Sequence, residues 1–263
     1  MTDAQEIIDL MTSMRDPVQS GFLSRFFKTG YGEYGYGDKF LGIRCPQTRS
    51  VVKAAGREIG LEEVQKLLAS EWHEIRLCGF LLLVEQMQAC LGKRVRLSLR
   101  ASSRRAELAD FYLAHTHHAN NWDLVDMSCP KILGNFLLNP LPDGTMPDRK
   151  ILYTLAESDN LWDQRIALVT NWMLIRAGQF DDIIRIADMM LPHPHDLIRK
   201  ATGWMLREMG SKSPETLEEY LSLNCAKMSR TTLRYAIEKL PEPERLRWLK
   251  MLPPHKARFT GSI

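Results

Sequence analysis

The sequence lacks any long apolar run, which limits the classes of protein to which it can belong. No stretch of the 263-residue chain approaches the roughly 18 consecutive apolar residues that a membrane-spanning helix needs. Its first ten residues carry three acids, Asp3, Glu6 and Asp9, and have neither the basic start nor the apolar centre of a signal peptide. We therefore expect a cytoplasmic protein with no membrane partner.

Cysteine is scarce and is not arranged for disulfides or zinc. The five cysteines are odd in number, are scattered along the chain and form no CxxC pair, so we expect reduced thiols. Histidines cluster at positions 115–118 and 193–195, but no HExxH unit or paired Cys/His unit accompanies them. We interpret these histidines as structural or solvent-exposed, and the sequence predicts neither a metal site nor a cofactor.

A glycine-rich segment lacks the surroundings of a nucleotide site. From Gly30 onward the glycines match the GxGxxG spacing of a dinucleotide fingerprint, which must follow a strand. No strand pattern precedes them, and residues 24–28 are typical of a helix. We interpret residues 30–38 as a loop and predict no nucleotide cofactor. The loop's tyrosines, which either stack on nucleotides or pack against the protein, are Tyr31, Tyr34 and Tyr36.

The net charge is too small to identify a partner by itself. The chain has 35 Lys and Arg against 32 Asp and Glu, a balance of +3, so only local clustering can indicate a nucleic-acid ligand. One dense cluster lies between Lys93 and Arg105, with no acid before Glu107. A solvated helix end with its loop, and a phosphate-binding patch, explain this cluster equally well.

Helical periodicity runs along nearly the whole chain. Ser213 and Pro214 predict a helix start, Gly210 predicts a helix end, and no long β-branched alternation suggests a sheet. The sequence therefore predicts an all-α protein. Apolar residues recur at helical spacing in these segments: Glu62–Leu68, Trp72–Gln86, Arg104–His115, Met146–Ala156, Leu161–Arg176, Asp181–Met190, His195–Met209, Pro214–Leu221 and Arg230–Leu240.

A short pattern recurs with a period close to that of helical repeats. Arg165, Arg199 and Arg234 each precede an alanine by two residues, and they lie 34 and 35 residues apart. A period of about 35–45 residues with two helices per unit is typical of HEAT-like and armadillo-like solenoids. We predict one such solenoid domain over residues 1–263, with the arginines pointing off the core toward a concave DNA-binding face. A basic tail from about residue 253 to 263 is expected to fray.

Trp122 and Asp126 stand four residues apart in a predicted helix and so share one face of it. For an isolated pair, the simpler interpretation is a core tryptophan and a surface charge. However, Arg165 and Trp204 occur at matching stages of later repeats. If all four face inward, they form a wall of two indoles, one acid and one base, which packing alone has no reason to collect.

Several longer motifs resemble those of the AlkD-type DNA alkylation repair proteins. They span about Ser24 to Leu240 and occur in the family's order. The resemblance implies a HEAT-like fold that cradles duplex DNA. It also implies a monofunctional glycosylase that removes cationic N3- and N7-alkylated purines without flipping the lesion into a pocket. The motifs are RFFK at 25–28, KFLGI at 39–43, NWDLVD at 121–126, SDNLWxxR at 158–165 and IRKAxGWxLRE at 198–208.

The resemblance also assigns roles to individual residues. It implies that Asp126 is the catalytic carboxylate, that Trp122 and Trp204 contact the sugar and backbone of the damaged nucleotide, and that Arg165 contacts DNA nearby. The family's active-site tyrosine corresponds to Phe26, which keeps an aromatic face but has no hydroxyl group. Further candidates for phosphate contacts are Arg44, Lys53, Arg199, Lys200, Arg207, Lys212 and Arg230.

Elementary chemistry agrees with a glycosylase but leaves two alternatives open. A cationic purine is a good leaving group, and a carboxylate stabilises the oxocarbenium-like sugar and orients a water. One alternative is a non-catalytic HEAT-repeat protein that binds damaged, distorted or branched DNA, which Phe26 and the loop 30–38 favour. The other is a protein-interaction scaffold, the commonest use of helical repeats. We expect a monomer, because a concave groove must admit duplex DNA.

Overall fold

A computed structural model describes residues 3–251, and the regular elements in that part of the chain are helices, apart from one isolated bridge between Lys39 and Trp72. The predicted all-α class of helical repeats is confirmed. The predicted tail at 253–263 lies outside the described residues. The chain forms two compact units, residues 1–149 and 150–263, of which 3–149 and 150–251 are described. One solenoid domain over the whole chain stays a prediction.

The first unit is built around one long buried helix, α5, against which α3, α4, α6 and α7 all pack. Because α5 has neighbours on every side, its apolar residues surround it instead of forming a stripe. A 3-10 turn, Thr116–His118, precedes α7, and a π-helical turn, Pro130–Gly134, continues it into α8. The helices are α1 Ala4–Ser13, α2 Pro17–Phe26, α3 Cys45–Ala55, α4 Leu61–Leu68, α5 His73–Ala89, α6 Leu99–Ala114, α7 Trp122–Cys129 and α8 Asn135–Leu137.

In the second unit, α12 packs between α10 and α14, while α11 and α13 flank it. Its small residues allow close approach: a Cβ atom on Gly203 would lie 2.5 Å from the Thr232 carbonyl oxygen of α14. This repeated packing of helices is what the period near 35 residues predicts. The helices are α9 Lys150–Ala156, α10 Leu161–Arg176, α11 Asp181–Met190, α12 Asp196–Lys212, α13 Pro214–Asn224, α14 Arg230–Ala236 and α15 Glu242–Lys250, with a 3-10 turn at Cys225–Lys227.

Several predicted helix boundaries are wrong. Helix α6 begins at Leu99 instead of Arg104, and α14 ends at Ala236 instead of Leu240. Gly210 does not end a helix, because α12 continues to Lys212. A Cβ atom at Gly210 would lie 2.3 Å from Leu217 Cδ2, so the glycine lets α13 pack closely. The segment from Met146 is not helical before Lys150, since Pro147 disfavours the helical conformation of the residue before it. The predicted start at Ser213 is confirmed, because its side chain accepts from Thr216 N–H.

Candidate functional site

An exposed aromatic surface lies where α2 ends and α7 begins. Phe26, the last residue of α2, is 53% exposed, and its ring centroid lies 6.0 Å from that of the half-buried Trp122. The buried Phe27 ring supports both, at 5.0 Å from Phe26 and 5.3 Å from Trp122. The structure therefore brings together two of the predicted lesion-contact residues. Asp126 is half-buried one turn after Trp122 on α7.

The start of α7 is fixed by local capping. Asn121 has extended backbone angles, and its side-chain oxygen accepts from Trp122 N–H at 2.8 Å, as expected of an N-cap residue. Helix α7 therefore begins at Trp122. Asp123 does more than start the helix, because its carboxylate is largely buried and points to a partner on α5.

That partner is His73, which is buried beneath the aromatic surface. Its Nδ1 lies 2.8 Å from an Asp38 carboxylate oxygen and its Nε2 lies 2.9 Å from an Asp123 carboxylate oxygen. The imidazole also stacks on Phe40, with ring centroids 4.5 Å apart. Because a carboxylate offers only acceptors, an imidazolium that donates from both nitrogens satisfies this arrangement. His73 thereby joins the end of loop 30–38 to the first turn of α7.

The electrostatics favour a charged His73. Burial alone lowers the pKa of an imidazole, but the nearby Asp123 and Asp38 carboxylates outweigh burial and raise the pKa of His73 to about 9. Burial likewise opposes the charge of Asp38, yet its hydrogen bonds and attraction to His73 and Arg76 lower the pKa of Asp38 below its usual value. At neutral pH the cationic His73 and Arg76 side chains therefore both contact the Asp38 carboxylate, and these three side chains form a buried chain of alternating charge.

Arg76 extends the same network toward α7. Its guanidinium pairs with Asp38 and donates to Asn120 Oδ1 at 3.1 Å and to the Ser70 carbonyl at 2.9 Å. Buried charges are tolerated when paired and hydrogen-bonded in this way. The network ties the loop, the start of α5 and the segment before α7 into one scaffold under the aromatic surface.

The neighbouring carboxylate of Glu74 holds the KFLGI motif. Its two oxygens accept the backbone N–H groups of Leu41, Gly42 and Ile43 at 2.8–3.1 Å, and the side chain is 2% exposed. Gly42 has a φ of +93°, and a Cβ atom there would lie 2.1 Å from the Asp16 carbonyl oxygen, so the turn requires glycine. This motif therefore positions the start of α2, the helix that carries Phe26.

Sequence reasoning missed this buried network. It predicted no buried role for Asp123 or Arg76. The available signal was the run of charged side chains at the start of an otherwise apolar helix, since buried charges require partners. The residues missed are Asp38, His73 and Glu74, together with the inward role of Arg76 and Asp123.

The glycine and tyrosine loop has the irregular structure that was predicted. Residues 30–38 form turns with no strand before them, so the dinucleotide interpretation has no structural support. Tyr31 and Tyr36 are exposed and their rings meet edge to face at 5.5 Å. Lys28, just before the loop, has a φ of +54° and lies over the Tyr34 ring.

In the second unit, the prediction that the repeat arginines point off the core is wrong for Arg165. This side chain is 6% exposed, and its guanidinium donates to the Leu197 carbonyl at 2.7 Å, joining α10 to the first turn of α12. Arg199 is half-buried and donates to the His193 carbonyl at 2.9 Å. Arg234 is exposed. The pattern thus reflects packing and turn stabilisation as well as a polar face.

The other predicted residues of the second unit lie on or near α12. Trp204 is half-buried, with its ring 6.4 Å from that of Trp172. Lys200 pairs with Asp196 at 2.8 Å, and Arg207 pairs with Glu208 and Glu238. In the first unit, two predicted phosphate contacts are exposed: Arg44 at the N-terminal end of α3, and Lys53 on α3 itself. In the second unit, Lys212 and Arg230 are also exposed.

The basic cluster at 93–105 divides into two parts. Arg105 is 1% exposed and donates to the backbone carbonyls of Cys90, Arg96 and Pro140, so it is structural. Arg104 donates to Gln86 and Glu107. The remaining exposed cations are Lys93, Arg94, Arg96 and Arg100.

Within residues 3–251, no group of three or more His, Cys, Asp or Glu side chains is arranged to hold a metal ion. All five cysteines are free thiols, and four of them are buried. Burial raises the pKa of the Cys78 thiol to about 12, which keeps it neutral and unreactive. No helix in the same described residues is long and apolar enough to cross a membrane.

Comparison with known proteins identifies a family. The model of a family described as DNA alkylation repair enzyme matches residues 7–240. A solved structure titled as a predicted DNA alkylation repair enzyme from Enterococcus faecalis is similar at 20% identity. That similarity covers 87% of this chain and 97% of the other, with a TM-score of 0.64, and so concerns the fold. No curated protein matches the sequence.

Proposed function

Since this chain belongs to the DNA alkylation repair enzyme family, we propose that it is a monofunctional DNA glycosylase that removes cationic N3- and N7-alkylated purines from duplex DNA. Its family gives it a role in DNA repair and makes DNA its substrate. One observation carries the more specific proposal. Phe26 and Trp122 form an aromatic surface, and the Asp126 carboxylate lies one helical turn after Trp122 on α7.

The proposed reaction needs little from the protein beyond placement and charge. An alkylated purine carries a positive charge, so the glycosidic C1′–N bond breaks with its electron pair going to the base, which leaves neutral. The oxocarbenium-like sugar that forms is stabilised by the Asp126 carboxylate. Asp126 also orients a water, whose oxygen bonds to C1′ while its proton passes to the carboxylate. No metal or cofactor enters this scheme.

The aromatic side chains supply binding in the same scheme. The Trp122 face attracts a cationic lesion and its sugar, with a contribution on the order of 0.5–2 kcal/mol for a cation over an indole ring. Phe26 offers a second aromatic face beside it, without a hydroxyl group. Trp204 is assigned the corresponding contact from the second unit. Such a site favours cationic bases and gives little help to a neutral one.

Phosphate contacts would hold the duplex in register. Arg44 and Lys53 are exposed and suited to this role in the first unit. In the second unit we assign Arg165, Arg199, Lys200 and Arg207, whose present hydrogen bonds and ion pairs would orient them or be exchanged for phosphate on binding. We propose that one protein molecule binds one duplex.

The decisive experiment measures release of 7-methylguanine and 3-methyladenine from methylated duplex DNA. Asp126→Asn removes the charge with little change in size, and we expect release to fall by about 100-fold or more. Asp110→Asn is the matched control, because Asp110 is an exposed aspartate on α6. Equal release by wild type and Asp126→Asn would rule out the mechanism.

A second candidate function is non-catalytic binding of damaged, distorted or branched DNA. The absence of a hydroxyl group at Phe26 favours it. Salt-sensitive DNA binding with no base release from wild type would establish this function in place of the first.

A further inference from the structure

Helix α7, which carries Trp122 and Asp126, is eight residues long. An isolated helix of that length is unstable in water, because so few turns do not recover the cost of nucleation. The orientation of α7 therefore depends on contacts at its two ends. Its C-terminal end continues into the π-helical turn, and its N-terminal end is held by Asn121 and Asp123.

Asp123 anchors α7 to α5 through its carboxylate. Successive residues of a helix are turned by about 100°, so Asp123 lies beside the face that Trp122 and Asp126 share. Its Oδ2 lies 2.9 Å from His73 Nε2, and its Oδ1 accepts the N–H of Leu124 at 2.8 Å. Since both oxygens are engaged, a rotation of α7 about its own axis would break the contact with His73.

The imidazole of His73 is itself fixed and cannot follow such a rotation. The rings of Phe27 and Phe40 lie against it, with centroids 5.1 and 4.5 Å away. The backbone N–H of His73 donates to the Lys39 carbonyl oxygen at 2.8 Å, and its Nδ1 contacts Asp38. His73 is 2% exposed, so bulk water cannot replace a carboxylate partner that is lost.

The charges that surround His73 come from three elements. Asp38 belongs to the loop 30–38, Asp123 to α7, and Arg76, which pairs with Asp38, to α5 itself. The neighbouring carboxylate of Glu74 accepts backbone N–H groups instead. An imidazolium donates to both aspartates at once, whereas a neutral imidazole has one N–H and leaves one aspartate facing a ring lone pair. Loss of the proton therefore releases one of the two segments.

We propose that His73 is a positioning residue for base release, which acts through Asp123 to fix the rotation of α7. The rotation of this helix sets where Trp122 and Asp126 stand, while His73 itself touches no substrate. A displacement of about 1 Å can slow a reaction by about 100-fold, so a modest rotation is sufficient. The inference rests on the proposed glycosylase function and adds a residue that lies outside the motifs at 25–28, 39–43 and 121–126.

The first test measures single-turnover release of 7-methylguanine at pH 7, with protein in excess over methylated duplex. For His73→Gln we expect the rate constant to fall by about 10- to 100-fold while the Kd for the duplex changes less than about twofold, because phosphate contacts are untouched. Gln86→Met is the matched control. Gln86 is also buried on α5, and it donates to the Ile59 carbonyl oxygen at 2.8 Å. Equal rate losses in the two variants would overturn the proposal.

The pH profile separates positioning from simple structural support. His73 keeps its proton up to a pKa of about 9, so the wild-type rate should fall as the pH rises and reach about half its neutral value near pH 9. His73→Gln should show no such fall. His73→Arg keeps a planar cation that donates to both carboxylates and stacks on aromatic rings, so it should restore the rate and keep it constant to pH 9. Circular dichroism checks folding at each pH. Equal alkaline declines in wild type and His73→Gln would overturn the proposal.

A measurement without catalysis distinguishes failure of this inference from failure of the proposed function. Hydrogen–deuterium exchange, read by mass spectrometry without DNA, reports how often α7 opens. In His73→Gln at pH 7, exchange should be about tenfold faster in α7 and unchanged in α10 of the second unit. No base release by wild type would reject the glycosylase, and exchange in α7 then decides whether His73 holds this helix. Release by wild type, with the rate and the exchange both unchanged in His73→Gln, would reject only this inference.

Discussion

His73 Nε2 lies 2.9 Å from an Asp123 carboxylate oxygen, and this buried contact joins α5 to the first turn of α7, beside Trp122. The opposite ring nitrogen contacts Asp38 at 2.8 Å, at the end of the tyrosine loop. One imidazolium therefore holds two segments that frame the aromatic surface. Its protonation should couple the stability of the fold to pH.

We expect stability to fall as pH rises from about 6.5 to 9. The folded state holds the His73 proton up to a pKa of about 9, whereas an unfolded histidine loses it near its ordinary value of 6.5. The folded state therefore binds more protons in this window, and the stabilisation, on the order of 3 kcal/mol, is full below it and lost above it. Urea unfolding of wild type and His73→Gln at several pH values measures this.

Wild type and His73→Gln should differ both in stability and in how stability depends on pH. His73→Gln should be less stable than wild type at pH 6, and its free energy of unfolding should not fall as the pH rises toward 9. Parallel pH profiles would show that His73 is neutral in the folded protein. Measurements should stop near pH 9, since the unfolded state then gains stability from ionisation of Cys78, whose folded pKa is about 12.

Glu74→Gln should destabilise the first unit by about 1.5–3 kcal/mol, because a charged acceptor of three buried N–H groups is lost. The urea midpoint should fall while the slope of the transition stays constant. Glu71→Gln is the matched control. Glu71 is exposed and, within residues 3–251, forms an ion pair only with Lys39, so its change should stay within about 0.5 kcal/mol. Equal losses of stability in Glu74→Gln and Glu71→Gln would contradict the role of Glu74 as the acceptor of three backbone N–H groups.

Phe26→Ala should slow release of 7-methylguanine about fivefold, corresponding to roughly 1 kcal/mol of aromatic contact. Phe22→Ala serves as the control, since Phe22 is equally exposed one turn earlier on α2. Phe26→Tyr should leave stability within about 0.5 kcal/mol, because the ring is exposed. We expect it to raise the release rate. Equal rates in Phe22→Ala and Phe26→Ala would remove Phe26 from the site.

Gly203→Ala should destabilise the second unit by about 1–3 kcal/mol. The added Cβ would lie 2.5 Å from both the Thr232 carbonyl oxygen and Tyr235 Cβ, so α12 and α14 would have to separate. Gly21→Ala provides the contrast. Nothing lies within 4 Å of a Cβ there, so alanine should stabilise α2 by about 0.5–1 kcal/mol. Thermal unfolding of both variants gives the comparison, and a stable Gly203→Ala would refute the close packing.

The sequence by itself determined the helical class, because helical periodicity and capping residues are local. Asn121 and Ser213 cap their helices through contacts one and three residues away, which a local pattern can specify. The linked motifs were enough to indicate the family and to nominate Trp122, Asp126 and Phe26. Boundaries failed where distant packing outweighed a local signal, as at Gly210, which faces Leu217 instead of ending α12.

Only the tertiary structure decided which charges are internal. Asp38, His73 and Asp123 are separated by 35 and 50 residues, and nothing local in the sequence predicts that they meet. Arg105 and Arg165 look like surface cations, yet each is buried against backbone carbonyls of other segments. Whether a charge is paired within the protein or exposed depends on long-range packing, which periodicity cannot encode.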